Sequence, residues 1–279
     1  MMRTDRSDDA QRPKQTILDA PCPVGSTRSG RLSPRARLYC LPHAGGTARV
    51  FRTLEQLLRT HIDVCALDYP GHGTRIGQPL LDSIERIAHV VADEIMSQPQ
   101  HAPYALLGHS MGSLAAFETC HILTARRAAL PSLLIACGHR APRLPSSSPT
   151  MHDAPHAEFV AHLKELGATP SELFSAPDLL ELVLPGLRTD FRACETYSPQ
   201  DRAPLPIPIV VYGGLGDKDT NRETLHAWQE ETVGACTVRM FAGGHFFVSD
   251  CANQVVAALE RDIFGTLAKE PIASWAATQ

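Results

Sequence analysis

Gly108-His109-Ser110-Met111-Gly112 sets a serine between two glycines in a G-x-S-x-G pattern. A hydroxyl presented on such a turn attacks a carbonyl carbon if a histidine takes its proton and a carboxylate orients that histidine. The pattern alone decides little, because at ~7% usage each of Gly and Ser it should arise by chance in about one chain in ten of this length. Its surroundings are more informative. An apolar run, "YALLG", precedes it and "SLAAFETCHILTARR" follows with helical spacing, which is the strand, turn and helix of a nucleophile elbow. Side chains at the two glycine positions would collide with the neighbouring strand and helix, and the serine itself would be held at a positive φ. The helix N-terminus behind Ser110 brings free N–H groups and partial positive charge to a developing oxyanion.

Among the 13 histidines, His245 stands just past the strand-like "TVRMF", in "MFAGGHFFV", on a loop made compact by Gly243 and Gly244. In the hydrolase order of Ser, then Asp, then His, the base occupies this place. His226 falls within a helical pattern, and His152, His156 and His162 fall in a helical insertion described below. His72 and His109 suit loop and elbow packing. For the carboxylate, "VVYGGLGDKDTN" ends a strong strand and presents Asp217 and Asp219. Gly214-x-x-Asp217 makes the better turn and favours Asp217, with Asp219 open as the alternative.

An oxyanion hole needs a second N–H besides that of Met111. The first strand supplies one: "LYCLPHAGG" ends in a glycine-bearing loop before a helix, and Ala44 N–H pairs with Met111 N–H in this reading. The same loop could cradle phosphate, but G-x-x-x-x-G-K and G-x-G-x-x-G are both missing. His152 and His156, four apart, lack the H-E-x-x-H context of a metal site, so no metal is expected.

The elements that must position these groups alternate along the chain. Short apolar runs at 37–41, 64–68, 104–108, 132–138, 207–213 and 237–243 are separated by helical patterns at about 47–59, 82–97, 112–127, 222–232 and 252–263. This is the signature of βα units building a mostly parallel sheet with helices on both faces. Asp82, with Glu85 three residues on, is the expected cap of the second helix. The alternation breaks at about 141–205, where "HAEFVAHLKEL" and "PDLLELVLPGLRTDFRACETY" predict helices with no strand between them. A helical insertion there predicts a lid over the carboxyl ends of the strands, the plainer alternative being a surface subdomain. Residues 1–34, rich in Arg, Asp, Ser and Pro, suggest a mobile extension, leaving 35–265 as the domain and 266–279 as a tail.

At 279 residues and 43% hydrophobic content the chain can bury one sizeable core. Its net charge of −4 is spread without long runs of one sign, which recommends neither nucleic acid nor a membrane surface as partner. Neither an apolar stretch of membrane-spanning length nor a secretory signal is evident, so a cytoplasmic location is expected. The eight cysteines are scattered without C-x-x-C pairs and suggest small buried hydrophobes.

Taken together, "LYCLPHAGGTARVF", "LDYPGHGTR", "DSIERIA", "YALLGHSMGSLAAFE", "LPGLRTDFRACETY" and "HAWQEETVGACTVRMFAGGHFF" resemble the type II thioesterases of polyketide and nonribosomal peptide assembly lines, over about Arg37 to Phe264. The resemblance implies an α/β-hydrolase fold with a helical lid and a Ser-Asp-His triad. It also implies hydrolysis of acyl groups from the phosphopantetheine arm of acyl or peptidyl carrier domains, with no metal or organic cofactor. Carried over, the nucleophile is Ser110, the base His245 and the acid Asp217, since "GGLGDKDTNRETLHAW" matches without a gap. Two departures stand out. Lys-Asp-Thr follows Asp217 where the family usually has Pro-Leu-Val, and the family's Pro-Gly-Arg-Gly reads Pro-Gly-His-Gly here. Arg140, Arg143, Arg188 and Arg192 are candidates to meet an acidic carrier and its anionic arm. The rival expectations are a general carboxylesterase using the same triad and a non-catalytic carrier-binding protein.

Overall fold

Six strands, β1 (Ala36–Leu41), β2 (Ile62–Ala66), β3 (Tyr104–His109), β4 (Leu133–Cys137), β5 (Ile209–Gly214) and β6 (Cys236–Phe241), pair in the order β2-β1-β3-β4-β5-β6. The computed structural model describes residues 34–99, 102–146, 149–167 and 171–269, so residues 1–33 of the expected N-terminal extension and 270–279 of the expected tail lie outside the described residues. Every pairing is parallel, where the sequence predicts a mostly parallel sheet. A parallel sheet covered on both faces calls for near-continuous apolar strands, and all positions of β3, β4 and β5 are buried. Leu38, Leu107 and Ile135, each at 0% exposure, contribute about 1.5–3 kcal/mol apiece by leaving water.

The connecting helices are α1 (Arg52–Leu58), α2 (Ile84–Ser97), α3 (Met111–Ala125), α4 (His156–Leu166), α5 (Ser171–Phe174), α6 (Pro177–Glu195), α7 (Arg222–His226), α8 (Phe247–Asp250) and α9 (Ala252–Leu267). Helix α2 buries Ile84, Ile87, Ala88, Val91, Ala92 and Ile95, a single stripe at helical spacing. Helix α3, behind Ser110, is buried along most of its length and so carries apolar residues on all sides. Two buried carboxylates tie layers together. Glu118 of α3 accepts from Tyr197 Oη at 2.6 Å and from Arg202, and Asp262 of α9 accepts from Tyr212 Oη of β5 at 2.7 Å and from Arg239 of β6.

Three expectations shift. The strand expected at 64–68 runs from Ile62 to Ala66, because Asp68 leaves the sheet to accept from the N–H groups of Ala48 and Thr74 at 2.7 and 2.8 Å. Ser83, not Asp82, caps α2: its hydroxyl oxygen accepts from Arg86 N–H at 3.3 Å, while Asp82 pairs with the Arg86 side chain at 2.9 Å. The first and fourth expected helices each contain a 3-10 turn, at Ala48–Phe51 and Ala227–Glu231.

The insertion between β4 and β5 holds α4, α5 and α6. Phe159 and Leu163 of α4 pack with Leu180, Leu184 and Leu187 of α6 and with Met151 in a core separate from that of the sheet. Among the described residues no helix is long and apolar enough to cross a membrane.

Candidate active site

The chain order reverses at β1, which lies between β2 and β3, so a crevice opens outside the carboxyl ends of β1 and β3. Ser110 follows β3 on one side of it and Pro42-His43-Ala44-Gly45-Gly46 follows β1 on the other.

Ser110 has φ 55° and ψ −117°, a strained conformation for a residue with a side chain. Its surroundings hold it there: Ser110 N–H donates to Cys137 O of β4 at 2.7 Å, and Ser113 N–H donates to Ser110 O at 2.8 Å. The flanking glycines are required sterically. A Cβ at position 108 would come within 2.0 Å of Gly112 O, and one at position 112 within 2.2 Å of Leu41 O. The turn can therefore be this tight only without side chains at both positions.

His245 follows β6 and Asp217 follows β5. His245 Nδ1 lies 3.0 Å from Asp217 Oδ2, with the Asp217 side chain 1% exposed and that of His245 15% exposed. Asp217 also accepts from Asp219 N–H at 3.0 Å and from Thr220 Oγ1 at 2.9 Å. Burial pushes the Asp217 carboxyl up, but these donors and His245 outweigh it and leave the group below its ordinary value. Asp219 offers its backbone to Asp217 and keeps its own carboxylate exposed at the cavity. The carboxylate that meets His245 is thus that of Asp217.

Asp217, Asp219 and His245 also present three potential metal-ligand atoms within 4.8 Å of one another. Asp217 is already filled by N–H and O–H donors, an arrangement that suits an orienting carboxylate better than a metal ligand.

Ser110, His245, Ala44, His43 and Phe246 line one cavity of about 160 Å³, roofed by His162, Leu163, Leu187 and Phe191 of the inserted helices. Ser110 and His245 make no hydrogen bond to each other in this structure, a looseness common in unliganded sites. Among the described residues the N–H groups of Ala44 and Met111 have no hydrogen-bond partner, and Met111 opens α3, where the first N–H groups lack intrahelical acceptors.

Three histidines around His245, at positions 43, 109 and 139, are held below their ordinary value. Burial, with His43 and His245 nearby, holds His109 well below its ordinary value, and burial lowers His43. Desolvation and Arg140 push His139 down to about 3. His109, expected only as elbow packing, is buried and donates from Nε2 to His245 O at 2.8 Å. His72, expected as loop packing, lies 3.0 Å from Asp190 of α6. Sequence reasoning missed Asp190 and Asp68. The signal for Asp190 was an acidic residue three positions after Leu187, on the buried face of α6.

The four candidate docking arginines divide. Arg188 donates to His152 O at 2.7 Å and lies over the Phe159 ring, Arg192 pairs with Asp153 at 3.1 Å, and Arg143 pairs with Glu231 at 3.3 Å. Arg140 donates from Nε to Leu144 O at 3.0 Å and lines the cavity with Ser110. His152 and His156 point to separate carboxylates, Glu195 and Glu181, rather than to a common ligand.

This sheet order, with a strained serine after β3 and a buried Asp–His pair after β5 and β6, defines an α/β-hydrolase. Residues 36–263 match the thioesterase domain family, and the chain belongs to that family of enzymes acting on thioesters. Two relatives are the thioesterase PikA5 of Streptomyces venezuelae, 36% identical over 78% of this chain and 78% of its own, and the gramicidin S biosynthesis protein GrsT of Aneurinibacillus migulanus, 32% identical over 80% and 86%. Among solved structures, YbtT, a type II thioesterase from the yersiniabactin NRPS/PKS biosynthetic pathway, superposes with a TM-score of 0.77 at 29% identity, over 86% of this chain and 97% of its own.

Proposed function

We propose that this enzyme is a type II thioesterase that removes acyl groups from the phosphopantetheine arm of acyl or peptidyl carrier domains in a polyketide or nonribosomal peptide pathway, clearing or releasing bound units. The observation that carries the chemistry is Ser110, strained at φ 55°, sharing one cavity with His245, whose Nδ1 is 3.0 Å from Asp217. Similarity to GrsT, a gramicidin S biosynthesis protein, to the thioesterase PikA5 and to YbtT, a type II thioesterase of an NRPS/PKS pathway, supports the substrate class.

In this mechanism His245 Nε2 takes the Ser110 hydroxyl proton while Asp217 holds Nδ1–H and stabilises the imidazolium. Ser110 Oγ adds to the thioester carbonyl, and the oxygen that becomes negative is met by the N–H groups of Met111 and Ala44. Collapse breaks the C–S bond, and the imidazolium returns its proton to the departing pantetheine thiolate. Water then adds to the acyl-serine by the same route, His245 taking its proton and passing it back to Ser110 Oγ, which yields a free carboxylic acid. No step calls for a metal or an organic cofactor.

Arg140, at the cavity, is positioned to meet an anionic or polar part of the arm, and the described cysteines, all free thiols, suit action in the cytoplasm. Parallel kcat/KM measurements on acyl-loaded carrier domains and on oxygen esters of the same acyl group test the substrate class. Higher kcat/KM on the carrier thioester supports it; preference for the oxygen ester makes the protein a carboxylesterase.

A further inference from the structure

The loop that carries Ala44 is fastened at two points by residues that do no chemistry in the proposed reaction. On one side Tyr69 Oη donates to Pro42 O at 3.0 Å. On the other, Gly45 N–H donates to Asp190 Oδ2 at 2.7 Å, across 145 positions of sequence. Asp190 is 1% exposed and belongs to α6, the long helix of the insertion, which also packs Leu187 Cδ2 directly against Gly45. The helix that roofs the cavity therefore holds the loop that frames it.

A histidine faces the same carboxylate oxygen. His72 Nε2 lies 3.0 Å from Asp190 Oδ2, an ion-pair distance without a directed hydrogen bond, and His72 Nδ1 donates to Pro70 O at 3.2 Å. With Nδ1 committed as a donor, a neutral ring would turn the Nε2 lone pair onto the carboxylate. Only an imidazolium sets positive charge against the carboxylate while Nδ1 donates to Pro70 O.

We propose that Asp190 is a positioning residue for the oxyanion loop: its carboxylate, steadied by a His72 imidazolium, fixes Gly45 N–H and so keeps the adjacent Ala44 N–H aimed at the carbonyl that Ser110 attacks. The proposal rests on the serine-hydrolase reading above, in particular on Ala44 as an oxyanion donor. The groups facing His72 and Asp190 are Asp68 and Tyr69 on the loop after β2, His43 on the loop after β1, and Cys194 on α6. Burial lowers the His72 value, but Asp190, the Pro70 carbonyl and Asp68 outweigh it and leave the imidazole above its ordinary value. A group raised in the folded state contributes its stabilisation below its unfolded value and loses it as pH rises through the folded one. Loss of this proton on the alkaline side should loosen the Asp190 contact and lower kcat.

The test compares wild type with Asp190→Ala, His72→Gln and His72→Arg, reading kcat and KM on an acyl-loaded carrier domain and fluorophosphonate labelling of Ser110, between about pH 6 and 9.5. Since loss of an oxyanion donor costs 10²–10³ in kcat, a misplaced one should lower kcat by about 10- to 100-fold, so Asp190→Ala should lose that much with KM little changed. His72→Gln should flatten the alkaline limb of the kcat profile at a reduced level. His72→Arg, charged throughout, should restore kcat and carry it to higher pH. NMR titration should place the His72 midpoint above about 6.5, the ordinary histidine value. A folded Asp190→Ala with kcat within about twofold of wild type, an alkaline limb that persists in His72→Gln, or a His72 midpoint below the ordinary value overturns the proposal. Full activity of Ser110→Ala would instead overturn the hydrolase reading on which it rests.

Discussion

His109 Nε2 donates to the backbone carbonyl of His245 at 2.8 Å, so the residue just before the candidate nucleophile holds the backbone of the candidate base. The two come from the ends of β3 and β6, which are separated in the sheet by β4 and β5, and this bond joins their loops directly. Replacing His109 by Phe keeps a ring in the buried space but leaves His245 O without its donor. An unsatisfied buried carbonyl costs about 1–3 kcal/mol, and urea unfolding of His109→Phe should show a loss of that size together with a lower kcat/KM. Unchanged stability and rate would mean that the bond holds nothing.

Asp217 and Asp219 separate cleanly by substitution. In the proposed reaction Asp217→Asn keeps the shape but removes the charge that steadies the imidazolium and disturbs the tautomer, so kcat should fall by about 10⁴, as such a change does in a serine hydrolase. Asp219 reaches Asp217 through its backbone N–H, which Asp219→Asn retains. That variant should keep kcat within about threefold of wild type, since exposed surface changes are energetically small. Steady-state kinetics on one thioester substrate reads both.

The glycines of the turn make a steric prediction. Position 112 has Leu41 O within 2.2 Å of any Cβ, and position 108 has Gly112 O within 2.0 Å, in both cases backbone that cannot swing aside. Gly112→Ala should destabilise by about 3 kcal/mol or more, visible as a fall in Tm, whereas an alanine with wild-type Tm would require a different turn.

The depressed Asp217 carboxyl makes a prediction about pH. A folded-state value below the unfolded one adds stability that is present above about pH 4 and is lost as pH falls through the folded value. The stability gap between wild type and Asp217→Asn should therefore narrow as the solution is acidified below about pH 4. Denaturant titrations at several pH values measure the gap, and a constant gap contradicts the ionised Asp217.

These relationships differ in how far the sequence reveals them. Ser110, Asp217 and His245 each follow an apolar run closed by a glycine turn, so their places at strand ends are local features of the chain. The contacts that hold them are not local. The Asp190 to Gly45 bond spans the sheet domain and the insertion, and becomes visible only when α6 is packed over the β1 loop. The end of β2 departs from its pattern for a similar reason: "VCALD" is apolar through Leu67, yet Asp68 is taken by the N–H groups of Ala48 and Thr74, each in a 3-10 turn elsewhere in the chain. At α2, Asp82 and Ser83 have equally suitable side chains, and only the backbone decides that Ser83 stands at the cap.

The central claim is that Ser110 is the nucleophile of a thioester hydrolase, and it is tested most directly by hydrolysis of an acyl-loaded carrier domain by wild type and by Ser110→Ala. The account predicts that Ser110→Ala folds with an unchanged Tm and loses about 10³-fold or more in kcat, keeping only what binding and the oxyanion hole supply. A folded Ser110→Ala that retained a tenth or more of wild-type turnover would contradict it.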